Sequence, residues 1–181
     1  MPKYHLVQRL AGLVVAAAVT VAVTVIAALA TPSPAQAGPN WIRINAFHSN
    51  LVATIPAPWT TNNLVAQQQP YSVNARNGHW QEVAVPNAPG MVQFVNRRSA
   101  QCLGLGVAVF TPGELIDQNP CNASDPTQWW YLEQDPLQPA YRIYNGASWM
   151  AMTVENGSVL AGARFVQRPF VGGANQLMQI W

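Results

Sequence analysis

Gln118-Asn119-Pro120-Cys121 has two counterparts in this chain, Gln68-Gln69-Pro70-Tyr71 and Gln167-Arg168-Pro169-Phe170. The three leading Gln stand 50 and 49 residues apart. Nine or ten residues after each Pro comes a large apolar side chain: Trp80, Trp130 and Met178. Upstream the register holds. Ile44, Phe94 and Ile143 keep the spacing, and so do Ser49, Ser99 and Ser148. After each Ser comes a short apolar segment: Leu51-Val52-Ala53, Gln101-Cys102-Leu103 and Met150-Ala151-Met152. Four matches in one register indicate threefold duplication, with copies at about 41–90, 91–138 and 139–181.

Each copy reads as strands. Ile42-Arg43-Ile44, Val92-Gln93-Phe94 and Tyr141-Arg142-Ile143 alternate with period two. Between such segments lie turn clusters: Pro56-Ala57-Pro58, Asn62-Asn63, Thr111-Pro112-Gly113, Asn156-Gly157 and Gly172-Gly173. Beyond residue 40 no amphipathic stretch reaches helical length. The expected fold is all-β, roughly a dozen short strands. One copy cannot bury its apolar face alone, so the three must share a core.

The start of the chain is different. Lys3 and Arg9 precede an apolar run from Leu13 to Ala30, broken by Thr31-Pro32-Ser33-Pro34 and ended by Ala35-Gln36-Ala37. Residues 1–37 read as a bacterial-style secretory signal cleaved after Ala37. The alternative is an uncleaved anchor, since the run is long enough to span a bilayer. Residues 38–181 hold seven Arg, seven Asp or Glu and no Lys. A neutral chain without Lys argues against nucleic acid as partner and, once the signal is cleaved, against a membrane surface. All seven Trp lie beyond residue 40, which excludes a disordered tail. The only two Cys, Cys102 and Cys121, are most simply one disulfide in an exported chain. No metal or cofactor is expected, because only His48 and His79 remain as imidazole ligands. A monomer is expected.

The pattern resembles the ricin B-type β-trefoil lectins, whose repeats carry a Cys-Leu strand, a later Cys and a Gln-x-Trp motif. The second copy has Cys102-Leu103, Cys121 and Gln128-Trp129-Trp130. The third ends Gly172-Gly173-Ala174-Asn175-Gln176-Leu177-Met178, with Met in the Trp place. The first ends Asn77-Gly78-His79-Trp80, keeping Trp and losing Gln. The resemblance implies a six-stranded barrel closed by three hairpins. It also implies non-catalytic carbohydrate binding at up to one shallow site per copy. In the family Trp80, Gln128, Trp130 and Met178 would be core. Sugar would be held by an Asp after the Cys-Leu strand, a polar residue and an aromatic on the next strand, and the Asn before the motif.

Here the Asp places hold Thr54, Gly104 and Thr153, and the aromatic places Gln69, Asn119 and Arg168. The polar places hold Gln67, Asp117 and Val166, and the Asn places Asn77, Thr127 and Asn175. No copy keeps the full set, so diverged sites are expected. The first candidate is the opening copy, at Thr54, Gln67 and Asn77, with Trp59 as stacking surface. The second is the third copy, at Thr153, Asn175 and Gln176. Trp59 either stacks on sugar or packs over the barrel mouth, whereas Trp149 is expected to pack. His79 reads as a surface or half-buried neutral side chain, and Asp125, Glu133 and Asp135 as a solvated turn. No catalytic motif is present. Readings other than a lectin are a trefoil for protein contacts, such as an inhibitor or host-interaction factor, and a carbohydrate-active enzyme.

Overall fold

The computed structural model describes residues 40–106 and 111–181. The apolar leader and its cleavage motif lie outside the described residues. The described chain forms β1 (Trp41–Ile42), β2 (Ile44–Ala46), β3 (Val52–Thr54), β4 (Leu64–Val65) and β5 (Gln67–Gln69). There follow β6 (Trp80–Ala84), β7 (Met91–Asn96), β8 (Cys102–Leu105) and β9 (Ile116–Asn119). The remaining strands are β10 (Trp130–Gln134), β11 (Tyr141–Asn145), β12 (Ala151–Val154), β13 (Phe165–Arg168) and β14 (Met178–Ile180). The helical elements among the described residues are three-residue 3-10 turns, as expected from so many Pro, Gly and Asn breaks.

The pairing closes on itself. β1 pairs with β6, β6 with β7, β7 with β10, β10 with β11, β11 with β14, and β14 with β2. That ring is the expected six-stranded barrel, β1 and β2 sharing one place, and closure removes its sheet edges. Three hairpins cap it: β3 with β5, β8 with β9, and β12 with β13. The hairpins also touch each other cyclically, through Val65↔Asp117, Leu115↔Val166 and Gln67↔Arg164. The fold is a β-trefoil.

The repeated apolar positions meet in the middle. Ile44, Phe94 and Ile143 are fully buried, as are Trp80, Trp130 and Met178. Alternation explains why: in a barrel strand every second side chain points inward. The two indoles also donate to strand carbonyls, Trp80 Nε1 to Ala53 (3.0 Å) and Trp130 Nε1 to Leu103 (2.9 Å). Met178 fills the third place with no polar atom to satisfy.

The Gln that opens each repeated Gln-x-Pro motif is buried and joins neighbouring lobes. Ser49, Ser99 and Ser148 donate to the Oε1 of Gln68, Gln118 and Gln167, the first two at 2.8 and 2.7 Å. Each Gln Nε2 then donates into the hairpin of another copy. Gln68 reaches the carbonyls of Ser158 and Leu160, Gln118 those of Trp59 and Thr61, and Gln167 that of Thr111. These cross-lobe bonds make a buried polar residue compatible with the core.

Two turns recur with positive φ: Asn50, Ala100 and Trp149, then Asn63, Gly113 and Gly162. Their spacing repeats the sequence register. The Cys102–Cys121 disulfide is formed, with Cα atoms 4.9 Å apart, tying β8 to the chain after β9.

Candidate functional site

Thr54 and Gln67 face each other across β3 and β5. Thr54 Oγ1 donates to the Gln67 carbonyl (3.1 Å), and the Thr54 side chain is buried. The hollow it lines with Val52, Tyr71 and Gly78 has about 10 Å³. That is room for about one water and none for a pyranose. A Cβ on Gly78 would stand 3.0 Å from Thr54 Cγ2, so this corner is already filled.

Asn77 and Trp59 lie elsewhere, on the walls of an open cleft of about 210 Å³. Asn74, Ala75, Arg76 and Arg98 complete its lining. Trp59 is 37% exposed and stands at φ 58°, a left-handed backbone rare for so bulky a residue. Second-copy side chains hold its loop. Gln118 Nε2 donates to the Trp59 and Thr61 carbonyls (2.6 and 3.0 Å), and Gln101 Nε2 to the Thr60 carbonyl and Asn62 Oδ1 (3.2 and 2.7 Å). The Arg98 guanidinium lies 4.7 Å from the indole centroid. Asn77 is half-buried, and its amide donates to the Ile55 carbonyl (2.8 Å). The structure thus brings Trp59 and Asn77 to one cleft and leaves Thr54 in the adjoining hollow, the two sharing Ala75.

In the third copy Thr153 and Gln176 are buried, and their polar atoms serve the fold. Thr153 Oγ1 donates to the Ala151 carbonyl. Gln176 Nε2 donates to Thr153 Oγ1 and the Pro169 carbonyl, and its Oε1 accepts from the Val171 N–H. Asn175 is half-buried and donates to the Val154 carbonyl (2.9 Å), as Asn77 does to Ile55. Of these three, Asn175 is the one with a side chain partly at the surface.

The second copy carries a carboxylate across the strand from the place where the resemblance puts one. Gly104 on β8 pairs with Asp117 on β9. Asp117 is buried, accepts from Asn119 Nδ2 (2.9 Å), and has its pKa pushed up to about 7, chiefly by burial. Gly104 leaves no pocket: a Cβ there would meet Gln128 Cγ at 2.9 Å. Gln128 is itself committed, accepting from the Asn122 N–H and donating to the Pro120 carbonyl.

Three further readings change. Trp149 does not pack inward; it is 59% exposed beside Tyr131, because the positive-φ turn that it shares with Asn50 and Ala100 carries its side chain outward. Asp135 is not solvated. It is buried, accepts from the N–H groups of Leu137 and Gln138, and pairs with Arg142 at 2.7 Å. Those contacts, the Leu137 N–H first, hold its carboxyl below the usual range. Asp125 caps a 3-10 turn through the Thr127 N–H and hydroxyl. His79 is neither at the surface nor half-buried: it is buried, with Nδ1 donating to the Ala75 carbonyl (3.1 Å).

Arg76 and Arg98 are cleft residues that the repeat motifs did not single out. Their signal was positional. In the repeat register Arg76 corresponds to Pro126 and Ala174, and Arg98 to Ala147 and His48. The repeat register therefore puts two arginines at this junction and none at the corresponding places of the other two.

Residues 86–168 match the model of the ricin-type β-trefoil lectin domain-like family. No curated protein matches the sequence. Among solved structures, the designed threefold-symmetric protein ThreeFoil is 26% identical with TM-score 0.72, over 77% of this chain and 96% of its own. The Macrolepiota procera ricin B-like lectin, solved with lactose, gives 15% identity and TM-score 0.64 over 78% and 94%. The exo-β-1,3-galactanase of Clostridium thermocellum gives 19% and 0.64 over 77% of this chain but 29% of its own, so there the shared part is a fraction of a larger protein. The repeat motifs, the closed three-hairpin barrel and the solved structures agree on a β-trefoil, and within it residues 86–168 are similar to the ricin-type β-trefoil lectin domain-like family.

Proposed function

We propose that this protein is a secreted, non-catalytic glycan-binding trefoil whose binding surface lies at the junction of the first and second copies. The observation that carries the reading is the open cleft joining Trp59 and Asn77. A sugar ring needs an apolar plane for its C–H face and amide or charged groups for its hydroxyls. The cleft supplies two asparagines, two guanidinium groups and an indole, the indole on a loop pinned by four cross-lobe hydrogen bonds. Such pinning lowers the ordering cost of binding. The lectins solved with lactose and with GalNAc lend the same fold to this reading. The family's usual place in the first copy contributes little, since the hollow at Thr54 admits no ring.

Secretion rests on the charged start, apolar run and Ala35-Gln36-Ala37 of the leader. N-terminal sequencing of exported protein should read from Gly38; an intact Met1 or Pro2 would remove that part. The binding reading is tested on a glycan array. The parent should bind a discrete set of glycans, and Trp59→Ala and Asn77→Ala should each reduce that binding, while Asn175→Ala leaves it unchanged. If Asn175→Ala alone abolishes binding, the third copy is the site. If the parent binds no glycan, a protein-contact role replaces this one.

A further inference from the structure

The cleft is basic, and the rest of the domain is not. Residues 40–106 carry four Arg (43, 76, 97, 98) against one carboxylate, Glu82; residues 111–181 carry three Arg against six carboxylates. The arginines of the acidic part are mostly neutralised in place. Arg142 pairs with Asp135 and Glu133, and Arg164 with Glu155. Among the described residues the four arginines of the first part form no ion pair with a carboxylate. Three of them rest on aromatic faces instead: Arg43 on Tyr71 (4.2 Å), Arg97 on Trp41 (5.3 Å) and Arg98 on Trp59 (4.7 Å).

An arginine stacked on an indole keeps its N–H fork available while its plane is held still. Arg98 has that arrangement, and Arg76 lines the same cleft. Neither guanidinium group is neutralised by a carboxylate, so an anion entering the cleft meets both charges. The repeat register has Pro126 with Ala147, and Ala174 with His48, at the other two junctions, so the trefoil framework itself does not require the pair.

We infer that this cleft selects glycans bearing an anionic group, a carboxylate or a sulfate, which Arg76 and Arg98 hold while Asn74, Asn77 and the exposed part of Trp59 meet the adjoining sugar. The inference rests on the glycan-binding reading above and narrows it to acidic polysaccharides. Forked N–H donors fit either anion bidentately, so the chemistry is shared and the experiment distinguishes the source.

The test is affinity electrophoresis of the full chain in gels containing polygalacturonate, dextran sulfate, fully methyl-esterified polygalacturonate or dextran, at two salt concentrations. The parent should be retarded by polygalacturonate or dextran sulfate at least tenfold more strongly than by the uncharged counterpart, and less so at high salt. The two charged gels report which anion is preferred. Arg76→Gln combined with Arg98→Gln should lose that retardation at least tenfold. Arg43→Gln combined with Arg97→Gln, which keeps the cleft, should not. Equal retardation by the esterified or neutral polymer overturns the inference and leaves glycan binding standing. An equal loss from the Arg43 and Arg97 pair means diffuse attraction and also overturns it. Retardation of the folded parent, with β-sheet dichroism, by none of the four overturns the inference, and a negative glycan array beside it overturns the reading beneath it too.

Discussion

Gln118→Met removes one cross-lobe clamp while keeping the length and bulk of the side chain. In the parent, Gln118 is fully buried and makes three hydrogen bonds: it accepts from Ser99 Oγ at 2.7 Å and donates to the Trp59 and Thr61 carbonyls at 2.6 and 3.0 Å. Methionine satisfies none of them. Each group left without a partner costs about 1–3 kcal/mol. The Trp59 and Thr61 carbonyls lie on an exposed loop where water can partly replace the amide, so the lower end applies, about 3 kcal/mol in all. For a domain of this size that lowers Tm by roughly 10 °C. Urea denaturation under oxidising conditions measures it, with Gln138→Met on the exposed surface as the matched control, expected within about 0.5 kcal/mol of the parent. The loop carrying Trp59 should loosen too, so near-ultraviolet dichroism and glycan binding should weaken below the melting transition. A loss under 1 kcal/mol, or an unchanged Trp59 environment, would refute the clamp and with it the argument that the cleft is pre-formed.

Other outcomes follow from the same contacts. Asp117 has its pKa raised from 3.8 to about 7, so the folded state holds a proton there that the unfolded chain has already released. Its stabilising contribution is therefore full below pH 4 and falls as pH rises toward 7, by roughly 4 kcal/mol at most. Asp117→Asn should remove this slope and be more stable than the parent at pH 8; parallel pH–stability curves for the two would sink the argument. Reducing Cys102–Cys121 should cost on the order of 3 kcal/mol by freeing its loop. The β-sheet dichroism should persist, because Val52 with Tyr71 and Ala151 with Phe170 hold the equivalent places without a bridge. Complete loss of that signal on reduction would show that one lobe's bridge carries the whole barrel.

The fold was legible because duplication writes the same constraint three times. Trp80, Trp130 and Met178 share one inward position, and the Gln-x-Pro register marks one strand per copy. What Gln68, Gln118 and Gln167 do was not legible, since the carbonyls that they clamp lie about 50–90 residues away in another copy. The candidate site was legible in part. Trp59 and Asn77 were named from the sequence and do share a cleft, but Arg98 arrives from the turn of the next copy, beyond the reach of any local motif. Thr153 sits at a position that faces sugar by analogy and Gln176 beside the Asn that does, yet here Gln176 donates to Thr153, so burial decided against both. Trp149 misled for a backbone reason: packing preference placed it inside, and the left-handed turn carried it out.

The most direct test of the central claim, that the cleft between the first two copies is where this trefoil meets a glycan, is a titration followed by ¹H–¹⁵N spectra with polygalacturonate or dextran sulfate oligomers. The account predicts saturable shifts of the Trp59 indole N–H, the Asn77 amide and the Arg98 Nε–H, with the Trp149 indole and Asn175 amide unmoved. Shifts centred on Asn175, or spread evenly over every exposed arginine with no saturation at Trp59, would contradict it.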